Sequence, residues 1–243
     1  MKPHRSPSLT ETPIYVENST EPMRDYKKFS RGDVTVMFRN LEEELIAQIR
    51  NADFVVGCIA WLTNTKILEA LRSPQYGCAI VVQKEDFLRP ETPGSRSTWK
   101  RHLRDLYDQT FCGLNRYDIS GLVGRLSLGG DSTMPPIRCV GNHNKEKSPA
   151  FPRMHNKFLV FCKVNHSAET ASFRSPYETV PYAVWTGSCN FSETAMQSFE
   201  NAVLIESHPI ANAYFNEWGQ ITALSEPLDW SSEWIEPEWR VGT

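Results

Sequence analysis

The apolar and polar positions divide the chain into alternating elements. Asp33–Phe38 alternates and is β-branched, which predicts a strand. Leu41, Leu45, Ile46 and Ile49 fall on one stripe of a helix over 41–50. Asn40 is its expected N-cap, and Glu42, Glu43 and Glu44 sit where acids suit the helix dipole. Phe54–Leu62 is a continuous apolar run of strand length, as in a strand covered on both faces. Thr63 or Asn64 is placed to cap a helix through Leu71, and Cys78–Val82 reads as another buried strand. This β-α-β-α-β order predicts an α/β layered sheet with helices on its faces.

Between residues 84 and 150 the rhythm breaks. Trp99, Leu103, Leu106 and Tyr107 lie along one face of a helix expected over Ser97–Phe111. Gly124, Gly129-Gly130 and Pro135-Pro136 then predict strands or loops over 113–149, including a short strand Ile137–Val140. A strand over Met154–Val164 follows, then a loop over 165–181 and a strand Tyr182–Thr186 leading into Gly187. Ser192 is the expected cap of a helix through Phe199, and Asn201–Ile205 reads as a strand. Pro209 suits the first turn of a last helix, with Ile210, Ala213, Tyr214, Trp218 and Ile221 on one face.

Residues 1–25, rich in Pro, Ser, Thr and Glu, are expected to be a mostly disordered arm. Residues 26–224 read as one domain, with 84–150 as an insertion or substrate-recognition region. Residues 225–243 are an acidic, Trp-rich tail that packs on its own domain or on a protein partner.

Composition adds little to this. An apolar share of 40% and a charged share of 23% fit an ordinary soluble protein. No apolar run approaches a membrane span, and residues 1–22 lack the apolar core of a signal peptide. The expectation is a cytoplasmic protein without stable membrane association. Six cysteines show no CxxC pair, so neither a zinc ribbon nor a redox motif is indicated, and no metal or cofactor is expected. Net charge is −3, but unevenly spread. Residues 84–150 hold 11 basic against 8 acidic groups, 151–189 hold 4 against 2, and 190–243 hold 1 against 9. Positive charge therefore gathers before and around residue 155, a distribution that fits a local phosphate-binding surface and equally an ordinary solvated face.

The candidate chemistry lies in that basic region. His155 and Lys157, two apart at the head of an apolar run, project together from a strand. Ser188 and Asn190 repeat the spacing in Gly187-Ser188-Cys189-Asn190, and Glu200 follows. A nucleophile or proton shuttle, a cation, two neutral hydrogen-bonding groups and a carboxylate suit attack at a phosphate ester. His143-Asn144-Lys145 repeats the tripeptide, but Glu146, Lys147, Ser148 and Pro149 follow it and no strand anchors it. Arg153, Lys145 and Lys147 are candidate contacts to substrate phosphate.

The ordered set His155-x-Lys157, Gly187-Ser188-x-Asn190 and Glu200 resembles the phospholipase D superfamily, over about residues 33–224 outside 84–150 and 165–181. The resemblance implies an α/β, layered α-β-α domain with a mixed sheet flanked by helices and one motif per chain. It implies a metal-independent phosphodiesterase, foremost a nuclease on DNA or RNA, working through a phosphohistidine in a site completed by homodimerisation. It also implies that His155 is nucleophile and proton shuttle, that Lys157 and Asn190 hold phosphate oxygens, that Glu200 orients a His155 ring, and that Ser188 supports the network. The family's motif continues to an aspartate, which here is Cys162. That departure keeps open a catalytically degenerate nucleic-acid-binding module, and the shared chemistry keeps open a hydrolase of lipid phosphodiesters.

Overall fold

The computed structural model describes residues 13–16, 19–22, 30–84, 98–125, 132–141, 154–166 and 175–228. The small hairpin β1 (Pro13–Val16) and β2 (Ser19–Pro22) pairs antiparallel. This departs from the disordered arm expected over 1–25. Ile14, Tyr15 and Val16 are strand formers that a composition average hides.

The main sheet has eight strands. They are β3 (Val34–Met37), β4 (Phe54–Ile59), β5 (Cys78–Gln83), β6 (Ile137–Val140), β7 (Lys157–His166), β8 (Tyr177–Gly187), β9 (Ala202–Ile205) and β10 (Glu226–Pro227), in the spatial order β10-β6-β5-β4-β7-β8-β9-β3. Only β4–β5 and β5–β6 are parallel pairs; the others are antiparallel, so the sheet is mixed. Side chains alternate between two helix layers. Val55 and Ile59 of β4 with Leu159 and Phe161 of β7 face α1 (Leu41–Asn51), α2 (Thr65–Ala70) and α3 (Thr98–Asp108). Phe54, Val56, Cys58, Phe158, Val160 and Cys162 face α4 (Arg116–Ile119), α5 (Gly121–Arg125) and α7 (His208–Ala223). A short α6 (Glu193–Met196) lies between β8 and β9. Burial on both faces explains the continuous apolar runs of the central strands.

Several boundaries differ from the sequence reading. Asn40 precedes α1 in a left-handed conformation, φ 54°, and its side chain makes no cap; Asn64 does cap α2, accepting the Ile67 N–H at 3.0 Å. The region 113–125 holds two helices where strands or loops were expected. Asn115 and Asp118 close a reciprocal capping box that starts α4 despite the glycines that follow. β8 begins at Tyr177, inside the expected loop, because residues 177–181 extend the ladder along β7. Pro181 is tolerated there because it sits opposite Cys162, where the register shifts in a β-bulge. The tail boundary at 225 also moves, since Glu226 and Pro227 add an edge strand to β6. Arg138 secures it by donating to Ser225 Oγ at 2.7 Å and to the Ser225 carbonyl at 2.6 Å.

Candidate active site

The sheet's strand directions bring the motif residues to one end. The C-terminal ends of β3, β4, β5, β6 and β8 meet the N-terminal ends of β7 and β9 there. β7 starts at Lys157, so His155 lies just outside the ladder rather than on the strand expected from Met154. The two still share a side: Lys157 Nζ is 3.3 and 3.4 Å from the two ring nitrogens of His155 and donates to its carbonyl at 2.8 Å. Burial pulls the Lys157 ammonium below its ordinary value, and the Glu200 carboxylate opposes part of that shift.

The residues on either side of His155 are both held. Ala60 N–H, at the end of β4, donates to the Asn156 carbonyl at 2.9 Å. Met154 N–H donates to Gln83 Oε1 at 2.7 Å, and Gln83 Nε2 donates to the Lys84 carbonyl at 3.3 Å. Gln83 is 2% exposed, at the C-terminal end of β5. Sequence reasoning missed this residue; a lone glutamine ending an apolar strand was the only trace of it.

The second segment is fixed as firmly. Gly187 ends β8 where a Cβ would collide with the Asn201 carbonyl, so β8 and β9 approach only through glycine. Ser188 Oγ accepts from Asn201 N–H at 3.1 Å and Nδ2 at 3.2 Å, and donates to the Glu200 carboxylate in a short hydrogen bond. Ser188 is thus engaged in holding Glu200 and the start of β9. Among the described residues no hydrogen bond joins Glu200 to His155. Phe191 is fully buried and docks on the β4–α2 loop: its N–H donates to the Trp61 carbonyl at 3.0 Å, and its carbonyl accepts from Thr63 and Asn64 at 2.8 and 2.9 Å. This fixes Asn190, whose Oδ1 is buried without a hydrogen-bond partner.

Cys162 is fully buried in the layer beneath α7, and burial pushes its thiol well up. The nearest carboxylate is Asp53, on the turn before β4. It accepts the Val164 N–H at 3.1 Å and pairs with Lys163 at 3.1 Å, while its own N–H donates to the Cys162 carbonyl at 3.0 Å. The strand is therefore held at the bulge from its neighbour rather than by its own side chain. Arg153, Lys145, Lys147 and the second tripeptide at His143 lie outside the described residues. So does the tail beyond Leu228. Among the described residues no group of three His, Cys, Asp or Glu side chains is placed to hold a metal ion, and no helix is long and apolar enough to cross a membrane.

No family model matches the chain. A relative, the uncharacterized protein L381 of Acanthamoeba polyphaga mimivirus, is 29% identical over 227 residues, which cover 88% of this chain and 74% of that protein. Solved structures similar in backbone include NucT from Helicobacter pylori, at 13% identity and a TM-score of 0.44 over 80% of this chain and 98% of that one. Another is Nuc from Salmonella typhimurium, a phospholipase D family member, at 15% identity and a TM-score of 0.46 over 79% and 95%. The archaeal chromatin protein TrmBL2 is similar at 10% identity and a TM-score of 0.39 over 82% and 55%. These are likenesses of backbone arrangement and bring no residue role to this chain. Any role rests on the side chains of the chain itself.

Proposed function

We propose that the chain is a phosphodiesterase of the phospholipase D type, acting on nucleic acid without a metal, in a site made by two copies of the chain. The observation that carries this is the convergence of His155, Lys157, Ser188, Asn190 and Glu200 on adjacent strand ends β7, β8 and β9.

The chemistry follows from these groups. A ring nitrogen of one His155 attacks phosphorus, forming an N–P bond as the bond to the leaving oxygen breaks. The imidazolium of the second copy's His155 gives that oxygen its proton. The same ring, now neutral, takes a proton from water, which attacks phosphorus and breaks the N–P bond. Lys157 and the Asn190 amide hold the non-bridging oxygens as charge builds on them. Glu200, fixed by Ser188, lies near enough to Lys157 to support its charge. A single chain supplies one imidazole to this scheme, so the reading requires the dimer.

The test is cleavage of labelled single- and double-stranded DNA and RNA in excess EDTA. Cleavage is expected to persist in chelator, with a dimer in sedimentation at micromolar concentration. Strict dependence on a divalent cation, or release of lipid headgroups with no nucleic-acid cleavage, would sink the reading. Binding without cleavage of any substrate would favour the degenerate module.

A second expectation concerns Gln83. Gln83→Leu leaves the Met154 N–H without its buried acceptor and frees the residue before His155. kcat is expected to fall about tenfold or more with little change in KM, since small displacements of a reacting group are costly. Gln83→Glu keeps the acceptor but loses the donor to the Lys84 carbonyl and buries a carboxylate, so it should recover part of the rate. Steady-state kinetics on the three proteins checks this, and an equal loss in both variants would refute it.

A further inference from the structure

Strand β10 is two residues long, yet it is fastened on both faces of the sheet. On one face the Arg138 guanidinium of β6 donates to Ser225 Oγ at 2.7 Å and to the Ser225 carbonyl at 2.6 Å. Cys139, next along β6, points to the opposite face, and its Sγ lies 3.9 Å from Glu226 Oε1. On that face the Glu226 carboxylate pairs with the Lys84 ammonium, whose side chain is fully buried just past the end of β5. Lys84 has other contacts as well, and Glu226 reaches it from β10. A buried ion pair adds little net stability, and its best-attested use is to fix a register. A ladder of two residues needs that, since a slip by one position would turn Glu226 away from Lys84.

What β10 fastens is the support of the residue before His155. The Lys84 N–H donates to the Val140 carbonyl at 2.9 Å, which ties the ends of β5 and β6. The Lys84 carbonyl accepts from Gln83 Nε2 at 3.3 Å, and Gln83 Oε1 accepts the Met154 N–H at 2.7 Å. Gly141 leaves β6 with φ 107°, and a Cβ there would come within 2.5 Å of Gln83 Nε2. The Gln83 amide is therefore seated between the ends of β5 and β6, the two strands that β10 grips.

We propose that β10 is a clamp on the candidate site. Glu226 and Ser225 are positioning residues that hold the ends of β5 and β6 together, so that Gln83 keeps Met154, and with it His155, in place. What His155 does rests on the phosphodiesterase reading above; the link from β10 to Met154 does not. Without the Glu226 charge the Lys84 ammonium is drawn toward water, its carbonyl moves with it, and the seat of Gln83 opens on the β5 side.

The test is amide hydrogen exchange on the full chain, read as the ratio of the Met154 rate to that of Leu159, which lies within β7 between β4 and β8. A loss of global stability alone raises both rates together, or that of Leu159 more. Glu226→Gln is expected to raise the ratio about tenfold, and Ser225→Ala, which leaves both charges in place, about threefold. A ratio that stays level or falls in these variants would overturn the clamp. Kinetics gives the second readout. Glu226→Gln should lower kcat about tenfold with KM within about twofold. In a chain already carrying Gln83→Leu it should cost less than about twofold more, because the link is already broken. A full tenfold loss on top of Gln83→Leu, or a raised ratio with kcat unchanged, would overturn the positioning role. If the unmutated chain cleaves nothing while the ratio rises in the variants, the catalytic reading falls and the clamp stands. If it cleaves in chelator while the ratio does not move, the clamp falls and the catalytic reading stands.

Discussion

His155→Ala is expected to lower phosphodiester cleavage by on the order of a thousandfold or more, with substrate binding largely kept. The side chain is exposed and leads no packing, while its neighbours Met154 and Asn156 are held through backbone atoms that the substitution leaves in place. The fold should therefore survive and only the chemistry should go, since nucleophile and proton shuttle act as one unit. The proposed two-copy site predicts a further result. When the variant and the unmutated chain are unfolded together in equal amounts and refolded, random pairing leaves about a quarter of the dimers with two intact rings. Specific activity should fall to about a quarter of the unmixed value. A fall to one half would mean that each chain works alone.

Restoring the motif aspartate is expected to harm the protein. Cys162→Asp should cost about 3–5 kcal/mol and lower Tm by roughly 10 °C in thermal melts, without raising activity. The side chain at 162 is sealed in an apolar layer with Phe54, Val160 and Trp218, and the carboxylate that acts on it is Asp53, of the same sign. The introduced carboxyl is therefore pushed up in the folded state by burial and by that charge. For an acid with a raised folded pKa, protonation favours the fold. The deficit should be largest above the raised folded value and shrink as pH falls from there toward the ordinary carboxylate value. Cys162→Ser, similar in volume and uncharged, should cost less. Equal melting of Cys162→Asp and the unmutated chain at neutral pH would show that the bulge has water access or a partner for the charge.

How much of this was legible depends on the range of the interaction. His155 with Lys157, and Ser188 with Glu200, were readable because the residues are close in sequence and their types match the chemistry. The apolar runs of β4, β5 and β7 were readable because burial on both faces leaves no polar position. Gln83 and Asp53 were not, because their partners, Met154 and Val164, lie 71 and 111 residues away. Nothing local distinguishes a glutamine that reaches the turn before β7 from one that ends a strand in water. Asn40 shows the opposite failure. Its residue type fits an N-cap, but tertiary packing puts it in a left-handed conformation and the side chain caps nothing. The α4 start was within reach, since Asn115 and Asp118 stand at capping-box spacing, but the neighbouring glycines outweighed them.

The order of the strands also governs when the candidate site assembles as the chain is made. β3, the first strand of the main sheet, pairs with β9, with Val34 opposite Ile205, and β4, which pairs early with β5, meets its other neighbour only in β7. Such distant pairings make loop closure a large part of the folding barrier. His155 cannot be seated before Lys157 has paired with Ile59, nor Glu200 before β9 has paired with β8. A ribosome-bound chain that stops short of β9 therefore lacks Glu200 in place. On the proposed reading, the candidate site is complete only after the whole sheet has come together.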